Sequence, residues 1–302
     1  MLPNSMPVLS RYLKQLYTVV LCCLMLSFGS QKVYAQNDAS PHVPEDKIAA
    51  LYQLGYFEEY ARNTSESIQG IVAQLTEAQH GQAVREIISR HFAPEAIEKT
   101  IKQSLKRNYS AAHAQKSIEH LQQPAMQALL KQLYASDVDL EDAEDRERFE
   151  RFAARMDRVA ETGRPEEQAG RIQIMAGILQ ATRQIRLTVQ SLEEMLAIVM
   201  FAINQSMPVE EQLESEQVNE LLLQLRANFQ AFFEDMMLYL SLFSTQEQSV
   251  EHMQEHQHFL ETPAGRWFIR SYNNAILDSF SEQGKAISEA LAQWSIDRLD
   301  TE

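Results

Sequence analysis

Glycine and proline are scarce in this chain, and the prolines stand at the starts of amphipathic stretches. The 302 residues include nine glycines and nine prolines, about half of the usual combined share of roughly 12%. Proline is tolerated at the first position of a helix because its missing N–H would have no partner there. The pattern therefore predicts an all-α protein with no sheet and disfavours glycine-rich phosphate loops. The prolines that precede such stretches are Pro94, Pro124, Pro165, Pro208 and Pro263.

Apolar stripes at helical spacing support the same fold class. One stripe runs through residues 218–240, where the apolar positions stay on one helical face for several turns. Residues 195–203 are a continuous apolar run that is too short to span a membrane, so they predict a buried core helix. No convincing two-residue alternation indicates a strand. The last stripe consists of Phe268, Tyr272, Ile276, Phe280, Ile287, Leu291 and Trp294.

The first 35 residues have the features of a secretory signal peptide. Arg11 and Lys14 precede the apolar stretch of residues 16–28, and the sequence Val-Tyr-Ala ends at Ala35. A basic start, a short apolar run and small residues before the cut are typical of such signals. We therefore predict cleavage after Ala35, a periplasmic or secreted protein and no transmembrane segment in the mature chain. An uncleaved N-terminal anchor is the alternative.

Cleavage at this point would change the chemistry open to the protein. Cys22 and Cys23 are the two cysteines, so the mature chain would have no thiol for a disulfide, a metal site or catalysis. The whole chain has a formal net charge of -15, and losing Arg11, Lys14 and Lys32 would make it -18. A surface this acidic repels phosphate backbones, so we expect no nucleic-acid partner.

Charge density and a short repeat divide the remaining chain. The sequence His-Leu-Gln-Gln-Pro-Ala that begins at His120 resembles Phe-Leu-Glu-Thr-Pro-Ala beginning at Phe259. This similarity predicts two similar helical domains in tandem, produced by an internal duplication. The predicted parts are a disordered leader at 36–46, a first helical domain at 47–136, a charged linker helix at 137–165 and a second helical domain at 166–302.

The second copy of the repeat carries a recognisable order of residues. An aromatic residue followed by serine, Phe243-Ser244, precedes a helix, and Phe259 and Thr-Pro-Ala-Gly-Arg at 262–266 then open the final helix. This order resembles bacterial secreted proteins of the domain of unknown function 2059 family. The resemblance implies an all-helical exported protein and carries over no catalytic residue. Its turn supplies our candidate site residues, which are Thr262, Pro263, Gly265, Arg266 and Trp267.

Each residue of this turn also has a physical interpretation of its own. Thr262 offers an oxygen that can cap the helix that follows it. Gly265 would let the first turn of that helix approach a neighbour closely. Trp267 stands beside arginines, which leaves two interpretations open: an exposed contact for a partner, or packing between the two halves.

The sequence His-Met-Gln-Glu-His at 252–256 matches the H-x-x-E-H pattern of inverted zinc hydrolases. On a helix, His252 and His256 could reach one zinc ion while Glu255 holds a water molecule. Such an enzyme also needs a third ligand, and Glu282 and Glu289 are the only glutamates soon after. We therefore interpret the segment as a solvated helix and predict no metal, cofactor or catalytic residue.

No other motif marks a reaction, so the sequence favours a non-enzymatic binding or interaction module. Its partner would be an unknown protein or an apolar ligand. One alternative is the zinc-dependent hydrolase. The other is a carrier that holds an apolar ligand between helices, with the methionine and aromatic side chains of residues 229–243 as candidate lining. A carrier would need a cavity of a few hundred Å³.

Overall fold

The computed structural model describes residues 43–73, 81–134, 142–162, 166–206 and 212–299. All regular structure within these ranges is α-helical, with no strand, so the predicted all-α class is confirmed. The predicted signal peptide lies outside the described residues. The helices described are α1 (Glu45–Leu54), α2 (Phe57–Ala73), α3 (Gly81–His91), α4 (Pro94–Arg107), α5 (Ala111–Leu121), α6 (Pro124–Tyr134), α7 (Ala143–Thr162), α8 (Glu166–Thr182), α9 (Gln184–Ser206), α10 (Ser215–Ser244), α11 (Val250–Glu261) and α12 (Pro263–Leu299).

Prolines begin several of these helices, as the sequence predicts. Pro94, Pro124 and Pro263 are the first residues of α4, α6 and α12, and α8 begins directly after Pro165. Pro208 lies outside the described residues. Each of the first three prolines occupies a position where a backbone N–H would have no helical partner, so the ring costs no hydrogen bond.

The last helix is the central element of the molecule. The 37 residues of α12 pack against α3, α4 and α5 as well as against α9 and α11. Around this axis, α1 and α2 pack on α4, while α8, α9 and α10 pack on one another and α7 packs on α10. The predicted apolar stripe of α12 faces this interior. Its buried members are Phe268, Tyr272, Ile276, Phe280, Ile287 and Leu291.

Buried apolar residues from both sides of the predicted domain boundary form one cluster. Phe57 of α2 stacks on Tyr272 of α12 with ring centroids 4.4 Å apart. On the other side, Phe152 of α7 lies with its ring centroid 5.4 Å from that of Phe243 in α10. This packing does not show two tandem domains, and the predicted duplication stays a prediction.

Polar contacts fix α12 against α4. Asp278 accepts hydrogen bonds from Ser104 Oγ and from Arg107 Nη2, each at 2.7 Å. Further along α12, the side-chain amide of Gln283 donates to Thr100 Oγ1 at 3.1 Å. The two contacts set the register of the long helix because both polar side chains of α12 bond to residues of α4.

The apolar run at 195–203 is part of α9 and is largely buried, which confirms the predicted core helix. Met195, Leu196 and Val199 are almost fully removed from solvent. Across the described ranges, no helix combines the length and apolarity needed to cross a membrane.

Candidate functional site

The turn between α11 and α12 is built by Thr262. Its Oγ1 accepts a hydrogen bond from the backbone N–H of Gly265 at 3.0 Å, and its hydroxyl donates to the carbonyl of Phe259 at 2.7 Å. The first contact caps the start of α12, as the sequence predicts. The second ties the same side chain to the end of α11. One hydroxyl therefore connects two helices that are joined by a single residue.

Gly265 lies where the first turn of α12 passes close to the backbone of α11. A Cβ atom added there would lie 2.0 Å from the Phe259 carbonyl oxygen and 2.7 Å from the Leu260 Cα. Real Cβ contacts are never this short, and backbone atoms cannot rotate away as a flexible side chain can. The predicted close approach is confirmed, and it requires glycine.

Trp267 belongs to the packing of the molecule. Its side chain is 8% exposed, and its indole N–H donates to the carbonyl of Asn108 at 2.9 Å, where α4 ends. The guanidinium of Arg266 donates to the carbonyl of Glu261 at the end of α11. Of the two interpretations, packing between distant parts of the chain is therefore correct for Trp267. The turn residues form a helix corner, and none of them lines the cavity between α8 and α9 that is described below.

The three side chains of the H-x-x-E-H segment lie in different environments on α11. Glu255 is exposed and His252 is partly buried, whereas His256 is 1% exposed. The prediction of a solvated helix is thus wrong for His256, because α6, α8 and α12 pack around α11. No group of three histidine, cysteine, aspartate or glutamate side chains that could hold a metal ion occurs in the described part of the chain.

His256 instead forms a buried pair with His120 of α5. The Nδ1 atom of His256 and the Nε2 atom of His120 are 3.3 Å apart. The ring of His120 also stacks on that of Phe259, with ring centroids 3.9 Å apart. Burial lowers the pKa of His120 to about 4. Burial, and secondarily the charge of His120, lowers the pKa of His256 to about 3. Both rings are therefore neutral at pH 7.

The contact between these two histidines was not predicted from the sequence. The repeat aligns His120 with Phe259, and the structure stacks these two side chains on each other. That alignment was the available signal. It indicated equivalent positions in two copies, which is not the same as a contact between them.

A cavity of about 840 Å³ lies between α8, α9 and the residue Leu238 of α10. Its wall begins where α8 ends and α9 starts, at Arg183, whose φ of 54° lies in the left-handed region. The apolar lining residues are Ala176, Leu179, Ile185, Val189 and Leu238, and the polar ones are Gln180, Arg183, Arg186, Gln190, Glu193 and Glu194.

Charged side chains stand at two separate places along this cavity. Arg186 is in the first turn of α9, and Glu194 lies eight residues later on the same helix, which corresponds to about 12 Å along its axis. Both side chains are exposed. The described methionine and aromatic side chains of 229–243 are not among the lining residues of this cavity, to which this segment contributes Leu238 instead. The side chains of 229–232, 234 and 235 lie outside the described part of the structure.

Comparison with known proteins gives no relative from which a role could be transferred. No family model matches the chain, and no curated protein or solved structure is similar to it. The resemblance to the domain of unknown function 2059 family therefore stays a prediction, and the geometry of the chain itself has to support any function.

Proposed function

We propose that this protein is an exported, non-enzymatic binding module that holds a ligand with an apolar body in the cavity between α8, α9 and α10. The volume of the cavity, about 840 Å³, is the observation that carries the proposal. It falls within the range of roughly 300–1,000 Å³ that is common for small-molecule sites. Leu179, Ile185 and Val189 supply apolar surface from two helices, as a carrier requires.

The charges at the cavity favour a ligand with an anionic head group. Arg186 lies in the first turn of α9, where the positive end of the helix dipole adds to the charge of its guanidinium. Glu194 is in the body of the helix and has no comparable support for a cation. We therefore place an anionic head beside Arg186 and the apolar body over Val189 and Leu238.

Export belongs to this proposal and rests on the sequence of the first 35 residues. The similarity of residues 243–280 to the exported domain of unknown function 2059 family agrees with it. The proposal does not include the zinc hydrolase, because the described residues contain no group of three possible metal ligands that includes His252 or His256.

Binding can be tested with 11-(dansylamino)undecanoate, a fluorescent fatty-acid probe, and native mass spectrometry of protein purified from the exporting compartment. We expect a chain that starts at Gln36 and binds one probe. Ala176→Trp should weaken binding at least tenfold, because an exposed alanine of the cavity wall gains a side chain that occupies the cavity. Ala292→Trp changes an exposed alanine of α12 that does not line the cavity, and it should leave affinity unchanged. If the two variants bound the probe with equal affinity, the cavity would not be the binding site.

The orientation of the ligand can be tested with a pair of charge-neutralising variants. Arg186→Gln should weaken binding of the dansyl fatty acid severalfold, because the carboxylate loses its cationic partner. Glu194→Gln should leave that affinity unchanged or raise it slightly. Isothermal titration with both variants gives the comparison. A strong gain in affinity from Glu194→Gln, with no loss from Arg186→Gln, would place the carboxylate beside residue 194 and reverse the assigned orientation while leaving the cavity in place.

A further inference from the structure

The rings of His120 and His256 connect α5 to α11, and neither residue lines the cavity. The contact consists of the 3.3 Å nitrogen pair and of His120 stacked on Phe259. The second ring nitrogen of His256, Nε2, is buried and has no hydrogen-bond partner. The unpartnered Nε2 atom determines which ring nitrogens of the pair can carry a proton.

Two neutral imidazoles carry two protons on four ring nitrogens. The least costly arrangement has His256 Nδ1–H donating to His120 Nε2, because it leaves His256 Nε2 as a bare acceptor. A buried donor without an acceptor would cost more. His120 then carries its own proton on Nδ1.

A third proton has no satisfactory place in this arrangement. Added directly to His256 Nε2, it creates a buried N–H with no acceptor. Added to His120 Nε2, it meets the Nδ1–H of His256, whose proton must then move to Nε2. Both routes end with an N–H at the same unpartnered atom. They also place a positive charge among buried side chains.

Other charged groups on the surrounding helices do not compensate for this charge. His120 is the one described titratable group whose charge acts on His256. Charged groups on the packed helices have other partners or are exposed. Arg171 of α8 donates to the carbonyls of Thr245 and Gln248, and Arg266 of α12 donates to the carbonyl of Glu261. Lys131 of α6 is exposed, and Lys47 of α1 and Glu119 of α5 both bond to Gln115. On α11 itself, His252 is partly buried and Glu251 and Glu255 are exposed.

We propose that the His120–His256 pair is an acid-sensitive latch, which holds α11 against α5 while both rings are neutral and releases it when the pair takes up a third proton. The inference does not depend on a ligand and would stand if the cavity proved empty. It describes a conformational response of a protein that enters an acidic environment.

The direction of the response follows from proton binding. Each ring binds a proton less readily in the closed state than in the open state, where the ordinary histidine pKa of about 6.5 applies. The pair therefore makes its full contribution to the stability of the closed state above that pH, and this contribution decreases as the pH falls below it. At pH 5.0 the open state gains about 30-fold in population per ring relative to pH 7.5.

Hydrogen exchange read by mass spectrometry can test the latch in the full mature chain at pH 7.5 and 5.0, after correction for the intrinsic exchange rate. We expect protection in residues 111–121 and 250–261 to fall by at least 30-fold at pH 5.0. Residues 184–206, in α9, should change much less. Equal loss of protection in all three segments would indicate global unfolding and would overturn the proposal.

Variants separate the pair from other titrating groups. The double variant His120→Phe with His256→Phe keeps two aromatic rings and removes the protons, so its protection should be the same at both pH values. If the double variant does not fold, His256→Phe alone can replace it. Because one titrating ring remains, its fall in protection between pH 7.5 and 5.0 should be about 30-fold smaller than that of the unchanged protein. His252→Gln, on the same helix, should respond as the unchanged protein does. An acid response that persists in full without the two histidines would refute the latch.

Discussion

At the scale of single residues, Gly265 is a position where one added carbon should decide stability. Gly265→Ala would place a Cβ against the backbone of Phe259 and Leu260, so α11 and α12 must move apart. We expect the free energy of unfolding to fall by about 2–4 kcal/mol. Urea titration followed by tryptophan fluorescence would measure it.

Gly70→Ala provides the matched control, because Gly70 is exposed in α2 and an added Cβ would meet nothing within 4 Å. That change should raise the free energy of unfolding by roughly 0.5–1 kcal/mol through helix propensity. If the two substitutions had the same effect, the close approach at the α11–α12 corner would not be the reason for glycine there.

Thr262 and His256 show which structural roles can be predicted from local residue patterns and which cannot. The role of Thr262 could be predicted because its partner, Gly265, is three residues away, and helix caps depend on such local spacing. The burial of His256 could not, because it depends on α6 and α8 as well as on α12, and α6 lies more than 100 residues earlier in the chain. Spacing of i and i+4 looks the same on an exposed helix and on one that is surrounded.

At the scale of elements, Arg171 holds the connection between α10 and α11 from its position on α8. Its Nη1 and Nη2 atoms donate to the carbonyls of Gln248 and Thr245, each at 2.6 Å. Arg171→Lys cannot reproduce this two-pronged contact, because an ammonium group is a point charge. We expect a loss of about 1–3 kcal/mol in the free energy of unfolding and faster proteolysis near residues 245–249.

Arg151→Lys is the comparison for Arg171→Lys. Arg151 is an exposed arginine of α7 whose ion pair with Glu147 is solvated. Exposed pairs of this kind contribute little, so the expected change is below about 0.5 kcal/mol. Similar losses in both variants would mean that the contacts of Arg171 with the α10–α11 connection carry no special weight.

Helix starts and buried faces were the most predictable features of the elements. Pro124 and Pro263 mark first turns, and the stripe from Phe268 onward marks the buried face of α12. A stripe indicates which side of a helix is buried but not which helix covers it. The cavity was hidden for the same reason, because its lining joins residues of α8 and α9 to Leu238 of α10.

At the scale of the whole molecule, α12 should make the fold cooperative across the predicted domain boundary. Tyr272 packs on Phe57 of α2, and Phe280 lies beside Phe92, with ring centroids 6.0 Å apart. Residues 166–302 alone would expose this face of α12 to water, at a cost of about 25 cal/mol for each Å² of apolar surface. We therefore expect that fragment not to fold by itself.

Calorimetry of residues 43–302 should accordingly show one transition whose calorimetric and van't Hoff enthalpies agree, since a shared core leaves no part that melts separately. Circular dichroism of the fragment 166–302 should show no cooperative melting. Two separate transitions, or a folded fragment, would instead favour the tandem domains that the repeat at His120 and Phe259 predicts. In that case the contacts of α12 with α4 and α5 would be an interface between domains, and Ser104→Ala, which removes a partner of Asp278, should lower the temperature of the transition that the interface stabilises.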